Sequence, residues 1–242
     1  MPDPIFANPR LAEVYDPLDP DRRDLDPYVA LADGFSAHSI LDVGCGTGTF
    51  ACLLAARGLE VTGVDPAEAS LDVARRKPCA DRVRWVLGDA TTLPPLQVDL
   101  ATMTGNVAQA FLGDDDWRAT LSCIRSALRP SGRLAFEVRD PARRVWEEWS
   151  RAASFSRKEV AGVGAVESWV ELTDVSLPRV SFRWAYRFER DGAVLTSDST
   201  LRFREKEEVE ASLSDAGFTV LDICDAPDRP GKELVFVARP KP

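Results

Sequence analysis

Between residues 38 and 139 the chain alternates short apolar, β-branched runs with segments of helical periodicity, and this alternation limits the fold more than any other feature. The apolar runs predict strands over 38–43, 60–64, 83–88, 97–103 and 132–138. Strands that are separated by helices pair in parallel, because a parallel connection needs a crossover of about a dozen residues. The pattern therefore predicts an α/β protein whose helices cover a mostly parallel sheet.

After Pro141 a period of two replaces the helical period. Every second side chain from 180 to 188 is apolar, and the Asp191-Gly192 dipeptide that follows is a strong hairpin turn. This pattern predicts a small antiparallel meander over about residues 165–204, inserted after the fifth strand. A helix and two strands, in FTVLDIC and KELVFVARP, then complete the sheet. We divide the chain into a core of residues 1–140 and 205–242 and an inserted lid of residues 141–204.

The charge balance narrows the choice of partners. A formal net charge of −9 argues against a nucleic-acid partner, because phosphate binding needs a basic face. Five cysteines without paired spacing and a single histidine indicate neither a disulfide framework nor a metal site. No apolar run approaches the roughly 20 residues that span a bilayer, and the first residues lack a signal-peptide pattern. We expect a cytoplasmic protein with a small-molecule substrate, no membrane partner and a homodimeric assembly.

Three glycines at alternate positions, Gly44, Gly46 and Gly48, follow the first predicted strand. Glycine lets the backbone approach a ligand closely, since it has no Cβ and adopts positive φ readily. Asp65 ends the second strand, where a carboxylate can accept from both hydroxyls of an adenosine ribose. Asp89 follows the third strand. Because the carboxyl ends of parallel strands meet at one edge of a sheet, these residues predict a single nucleoside site.

The stretches LDVGCGTGTF, GVDPAEASLDVARRK and GDATTLP resemble, in order and spacing, the successive motifs of the class I S-adenosylmethionine-dependent methyltransferases. The resemblance covers most of residues 38–139. It implies a Rossmann-like, doubly wound sheet of seven strands in the order 3-2-1-4-5-7-6 with the last strand antiparallel, and S-adenosylmethionine as the cofactor. The cofactor-binding residues that it implies are Asp42, Gly44, Cys45, Gly46, Asp65, Pro66, Asp89, Ala90, Met103 and Thr104.

Two other functions use a related site. A dinucleotide oxidoreductase would hold a pyrophosphate and prefers the wider G-x-G-x-x-G loop, whereas position 49 here is Thr49. The loop therefore favours S-adenosylmethionine over a nicotinamide or flavin nucleotide. A protein that binds S-adenosylmethionine or S-adenosylhomocysteine as a sensor, without catalysis, is the second alternative.

The acceptor side is predicted from TGNVAQAF and FEVRDP, which place Asn106, Gln109 and Arg139 at the carboxyl edge. These stretches loosely resemble glycine and sarcosine N-methyltransferases, in which an arginine holds the substrate carboxylate. An equally open interpretation is structural, with Asn106 turning the loop and Arg139 pairing with Asp140 or the lid. Tyr15 is positioned like the N-terminal tyrosine that closes over the methyl group in many small-molecule methyltransferases, with simple packing as its alternative.

We take Tyr15, Asn106 and Arg139 as the candidate catalytic residues and an amine bearing a carboxylate as the expected acceptor. No histidine lies near the predicted site, so a general base would be a carboxylate such as Glu137 or Glu171. The absence of a histidine near the predicted site favours an amine acceptor over an unactivated hydroxyl. The aromatic residues of the meander are predicted either to line the acceptor pocket or to pack in a core; they are Trp169, Trp184 and Tyr186.

Overall fold

The computed structural model describes the whole chain, from Met1 to Pro242. The strands are β1 (Ser39–Val43), β2 (Glu60–Asp65), β3 (Val83–Leu87), β4 (Val98–Met103), β5 (Leu128–Arg139), β6 (Ser156–Val160), β7 (Gly164–Ser176), β8 (Arg179–Phe188), β9 (Val194–Arg202), β10 (Phe218–Asp225) and β11 (Glu233–Pro240). The α-helices are α1 (Pro4–Ala7), α2 (Pro9–Leu18), α3 (Asp26–Gly34), α4 (Thr49–Ala56), α5 (Glu68–Ala74), α6 (Asp114–Ala127), α7 (Arg151–Ser154) and α8 (Lys206–Asp215).

Seven strands form the main sheet in the spatial order β3-β2-β1-β4-β5-β11-β10. The first five are parallel to one another, and β11 runs antiparallel to both β5 and β10. Counted within this sheet, β10 and β11 are the sixth and seventh strands. The predicted order 3-2-1-4-5-7-6 and the antiparallel last strand are therefore confirmed.

The main sheet is covered on both faces, which explains why its central strands are apolar throughout. On one face Leu41 packs with Phe136, whose ring stacks on Phe236 at 5.4 Å. On the other face Ile40 and Leu100 pack with residues of α3 and α4. Burying each large apolar side chain stabilises the fold by about 1.5–3 kcal/mol. Helices on both faces leave the carboxyl edge of the sheet as the place where loops can meet a ligand.

The lid is a second, four-stranded antiparallel sheet in the order β6-β7-β8-β9. The meander was expected from about residue 165, and the structure adds β6 at its edge. The sequence of β6, SRKEV, has only one buried residue, Val160, so its pattern carries no apolar alternation. The division into core and lid by residue number remains a prediction.

Two N-terminal helices that the sequence pattern did not predict lie between the lid and the core. Asn8 caps α2 by accepting a hydrogen bond from the backbone amide of Arg10 at 2.9 Å. Leu11 and Val14 of α2 pack on Val166 and Phe188 of the lid. On the core side, Ser70 donates a hydrogen bond to the Phe6 carbonyl at 3.0 Å. None of the helices in the chain is both long enough and apolar enough to cross a membrane.

Candidate functional site

The glycine loop connects β1 to α4, and its three glycines all take the left-handed conformation, with φ of +72° at Gly44, +52° at Gly46 and +75° at Gly48. The backbone amides of Gly44 and Cys45 donate to the Val64 carbonyl, at 2.8 and 3.1 Å. The amide of Gly46 donates to the Asp65 carboxylate, and that of Gly48 donates to the Cys45 carbonyl. These four amides are thus satisfied within the protein, and none of them is free to hold a pyrophosphate.

The three glycines differ in what surrounds them. A Cβ on Gly44 would lie 2.6 Å from Val107, and one on Gly48 would lie 2.5 Å from Trp85, so both positions need glycine for packing. A Cβ on Gly46 would meet no heavy atom within 4 Å. The open side of the loop is therefore at Gly46, where the resemblance expected the methionine portion of the cofactor.

Asp65 ends β2 and is buried beside this open space. Its Oδ2 accepts from the Gly46 amide and its Oδ1 from the Ala67 amide, both at 2.8 Å. Burial raises the pKa of Asp65, and the two amides oppose that rise. A carboxylate oxygen has two lone pairs, so each oxygen can still accept from a ribose hydroxyl. Asp65 consequently fits its predicted role and also holds the glycine loop, while Pro66 beside it is exposed.

Asp89 and Ala90 follow β3, as predicted. Asp89 Oδ1 accepts from the Thr91 amide at 2.8 Å and from the Thr91 hydroxyl at 2.5 Å, which caps a short 3-10 turn. Asp89 is exposed and Ala90 is buried. The cap fixes the Asp89 backbone at the edge of the sheet and leaves Oδ2 of the carboxylate for a ligand.

Asp42 lies at the end of β1, beneath the glycine loop. Its Oδ1 accepts from Thr102 at 3.1 Å, whereas its Oδ2 is buried without a hydrogen-bond partner. Burial raises the pKa of Asp42 to about 7, and the positive charge of Arg22 opposes the rise. Met103, the last residue of β4, is fully buried, and Thr104 after it is half-buried. An orphaned buried carboxylate oxygen is a fitting partner for an ammonium group, which agrees with the expected contact to the cofactor's amino group.

Asn106 is buried on the acceptor side and turns the loop after β4, with φ of +61°. Its backbone amide donates to Glu137 Oε1 at 2.8 Å. Its side-chain amide donates to Glu233 Oε1 at 3.0 Å, and its own Oδ1 is buried without a partner. The structural interpretation of Asn106 is thereby supported, and its catalytic role stays a prediction.

Arg139 ends β5 at the same edge, where its guanidinium already has partners. Its Nη1 donates to Gln109 Oε1 at 3.2 Å, and its Nε lies 3.6 Å from Glu233 Oε1. The predicted convergence of Asn106, Gln109 and Arg139 is observed, since Glu233 connects Asn106 with Arg139. Burial lowers the pKa of Arg139, and the charge of Glu233 opposes that effect.

Glu137 is the buried acid of this cluster. Burial raises its pKa to about 8; its hydrogen bond from the Asn106 amide opposes the rise, and the charge of Glu233 adds to it. Its Oε2 has no hydrogen-bond partner. Glu137 also lines a cavity of about 20 Å³ together with Tyr28, whose hydroxyl is likewise unpartnered. Such a cavity is just large enough for one water-sized group.

Tyr15 lies on α2 with its ring 5.6 Å from that of Phe6, and 36% of its surface is exposed. Burial of its surroundings raises the pKa of Tyr15, and the charge of Arg22 opposes the rise. Burial raises the pKa of Tyr186, and the charge of Tyr15 adds to the rise. Tyr15 therefore lies on a helix between the lid and the core, and its role in closing the site stays a prediction.

The lid aromatics separate onto two faces. Trp184 and Tyr186 stack at 6.0 Å on the face that packs against the N-terminal helices. Trp169 lies on the opposite face, with Arg151 4.3 Å from its ring. The prediction of Trp169 as a pocket wall is wrong, because strand alternation places it out of phase with Trp184. Glu171 shares the face of Trp169 and is exposed, so its prediction as a base is also wrong.

Sequence reasoning missed three residues of the site, and each comes from a distant part of the chain. Glu233 is 127 positions from Asn106, and only its place at the start of an apolar run could have marked it. Asp16 lies in α2, which the sequence pattern did not predict although Asn8 and Pro9 mark its start, and Arg22 lies between α2 and α3. Asp16 accepts a hydrogen bond from Thr47 of the glycine loop at 2.7 Å.

Comparisons with known proteins agree with this geometry. Residues 40–132 match the family model described as a methyltransferase domain. A putative methyltransferase of Geobacillus sp. strain WCH70 is 30% identical over 215 residues, which cover 84% of this chain and 85% of the relative. A malonyl-[acyl-carrier protein] O-methyltransferase of Serratia marcescens is 26% identical over 88% of this chain and 76% of the relative. The sugar N-methyltransferase KedS8 of Streptoalloteichus sp. ATCC 53650 has a similar structure, with a TM-score of 0.75 at 19% identity, over 95% of this chain and 94% of that one.

Proposed function

This chain belongs to the class I S-adenosylmethionine-dependent methyltransferases, and we propose that it methylates the nitrogen of a small-molecule amine. It is an enzyme that uses S-adenosylmethionine, and no observation supports the alternative of a sensor without catalysis. The residues at the carboxyl edge fit the cofactor, because Gly46 opens onto free space and Asp42 keeps an unpartnered oxygen beside it. When bound, S-adenosylmethionine supplies a methyl group that its sulfonium already activates for transfer.

The observation that carries the choice of an amine is a buried carboxyl oxygen without a partner, Glu137 Oε2. Glu233, the other buried acid of this edge, already pairs with Arg139 and accepts a hydrogen bond from Arg229 at 2.8 Å. An acceptor amine can donate an N–H to Glu137 Oε2, which would otherwise stay buried and unpaired.

The protein's contribution to methyl transfer is alignment and the exclusion of water. Tyr15, on the helix that lies between the lid and the core, is the residue to which we assign closure of the site. Glu137 is the group suited to take the proton that an amine must lose, because its pKa of about 8 lies close to neutral pH. Glu137 is held in place by the Asn106 amide, and its free Oε2 is available for that proton.

A carboxylate on the acceptor is the finer part of this proposal. It would have to share Arg139 with Glu233, 3.6 Å away, and with Gln109. A guanidinium offers five N–H donors, so Arg139 can bind an acceptor carboxylate while it keeps these partners. The acceptors that relatives are named for include both an O-methylated acyl carrier and an amino sugar, so names alone leave the acceptor atom open.

The experiment is a methylation screen with radiolabelled S-adenosylmethionine. Its panel pairs each primary or secondary amine with the corresponding alcohol, and each carboxylated amine with its amide. We expect turnover of amines and none of the alcohols. Glu137→Gln should lower kcat and remove the limb of the pH profile near pH 8, whereas the exposed Glu171→Gln is the matched control.

Faster turnover of the alcohols than of the amines would refute the nitrogen acceptor. Equal turnover of carboxylated amines and their amides would refute the carboxylate while leaving the amine in place. An unchanged pH profile in Glu137→Gln would show that the proton leaves by another route.

A further inference from the structure

A carboxylate of the N-terminal helix α2 reaches the middle of the glycine loop. Asp16 Oδ1 accepts from the hydroxyl of Thr47 at 2.7 Å and from that of Thr49 at 3.1 Å. Asp16 Oδ2 accepts from Lys77 Nζ at 2.6 Å, and Lys77 Nζ donates to the Thr49 hydroxyl at 2.6 Å. These four side chains form a closed cluster in which the Asp16 and Lys77 side chains are only 25% and 20% exposed.

The same helix is attached to the lid at several points. Arg10 donates to Asp191 at 3.0 Å, and Lys158 donates to the Leu18 carbonyl at 2.5 Å. Val14 packs in the apolar cluster that includes Phe188. Helix α2 therefore spans the distance from the lid to the glycine loop, and Asp16 is its contact with that loop.

We propose that Asp16 is a positioning residue that locks α2 onto the glycine loop. Its hydrogen bonds hold the loop in the shape that binds the cofactor. The inference goes beyond the choice of acceptor, since it concerns cofactor binding alone.

The physical reason lies in the backbone of the loop. Three glycines in left-handed conformations lose much conformational entropy when they are ordered, so a loop of this kind needs external contacts to stay in one shape. Asp65 supplies one such contact through the Gly46 amide, and Asp16 supplies the other through the Thr47 hydroxyl. A loop that is ordered before the ligand arrives binds more tightly, because binding no longer includes the ordering.

The chain offers a matched control on the same helix. Glu13, three positions before Asp16, pairs with Arg76, which directly precedes Lys77. Both side chains of this pair are more than half exposed, and neither touches the glycine loop. Glu13→Ala therefore removes a carboxylate between the same two segments without altering the contact to the loop.

The experiment is calorimetric titration of S-adenosylhomocysteine into the wild type, Asp16→Ala, Thr47→Val, the double variant and Glu13→Ala, with the melting temperature of each free protein. We expect Asp16→Ala and Thr47→Val each to weaken binding by about tenfold, which corresponds to 1.4 kcal/mol. The double variant should lose little more than Asp16→Ala alone, because the Thr47 hydroxyl then has no carboxylate left to donate to. Glu13→Ala should bind within about twofold of the wild type.

Wild-type affinity in Asp16→Ala would overturn the proposal, as would equal losses in Asp16→Ala and Glu13→Ala, which would mean that helix docking in general sets the affinity. Fully additive losses in the double variant would overturn it too. If Asp16→Ala lowers the melting temperature, Thr47→Val decides, because it leaves the contacts between α2 and the lid untouched. A preference for alcohol acceptors would refute the proposed function and leave this inference standing, since the titration contains no acceptor.

Discussion

Two regions of the carboxyl edge are built differently. The cofactor region, at the ends of β1 to β3, is shaped mainly by the backbone, whereas the acceptor region, around Asn106 and Arg139, is shaped by contacts between long side chains. The glycine loop is shaped by left-handed glycines and by amides that donate to Val64 and Asp65. The acceptor end depends on contacts such as Asn106 with Glu233, which join residues more than a hundred positions apart. Backbone geometry tolerates almost no change of residue, while a side-chain cluster can be altered one member at a time. Substitutions should therefore have larger effects at the cofactor end.

The largest expected effect is at Gly46. Gly46→Val should weaken S-adenosylhomocysteine binding by more than about a hundredfold, because the side chain fills the open space and disfavours φ of +52°. Titration calorimetry measures the loss. Gly58→Val is the control, since Gly58 also has positive φ and open surroundings but lies in the turn after α4. Equal binding in both variants would show that this glycine serves only the turn.

The second effect is at Asp65. Asp65→Ala removes a carboxylate that can take two ribose hydroxyls, and charge-assisted hydrogen bonds of about 1.5–3 kcal/mol correspond to a roughly tenfold to hundredfold loss of affinity. Because the variant also loses the hydrogen bond from the Gly46 amide, we expect a loss of affinity closer to a hundredfold than to tenfold. Calorimetry with the melting temperature tests it, and Glu60→Gln at the opposite end of β2 is the control. Unchanged affinity would rule out the ribose contact.

A smaller effect is expected at Arg139, in the acceptor half. Arg139→Lys keeps the charge but loses the planar fork, so kcat/KM for the acceptor should fall by about tenfold while S-adenosylhomocysteine affinity stays constant. Steady-state kinetics at saturating cofactor measure the change. Arg143→Lys, an exposed position on the following turn, is the matched control. If the variant instead changes the affinity for S-adenosylhomocysteine, Arg139 contributes to the cofactor site and not to the acceptor site.

A separate comparison of the two ends of the site uses the pH dependence of stability. The pKa of Glu137 rises from 4.5 to about 8 on folding and that of Asp42 from 3.8 to about 7. For each carboxyl, at a pH between its unfolded and its folded pKa, the folded protein still binds a proton that the unfolded chain has released. The free energy of unfolding therefore falls as pH rises through this range. Urea unfolding of the free protein from pH 5 to 9 should show this decline. Asp42→Asn should flatten it up to about pH 7 and Glu137→Gln up to about pH 8; a decline that neither variant alters would contradict both shifts.

Asp99 provides a check on the same measurement. Its pKa is lowered to about 2, mainly by hydrogen bonds from the His38 amide and Arg129 that outweigh the effect of burial. The stability it contributes is present above its usual pKa of 3.8 and is lost only as pH falls toward 2. Asp99→Asn should therefore lower stability by a constant amount between pH 5 and 9.

The sequence alone determined the fold and the cofactor end of this protein. Strand and helix periodicities are local properties of the sequence, so they predicted β1 to β5 and the hairpin at Asp191-Gly192. The glycines and strand-end carboxylates lie within about fifty positions of one another, so their spacing predicts the nucleoside site directly.

Only the tertiary structure decided what surrounds that site. Helix α2 has a local start signal in Asn8 and Pro9, but Pro17 lies within it and its apolar face is covered by the lid, which lies about 150 residues further on. Asp16 meets Thr47, and Glu233 meets Asn106, through folding that no local spacing encodes. Trp169 and Trp184 look alike in the sequence, yet pairing of β7 with β8 sends them to opposite faces. Contacts between distant segments depend on register and packing, and these exist only once the chain has folded.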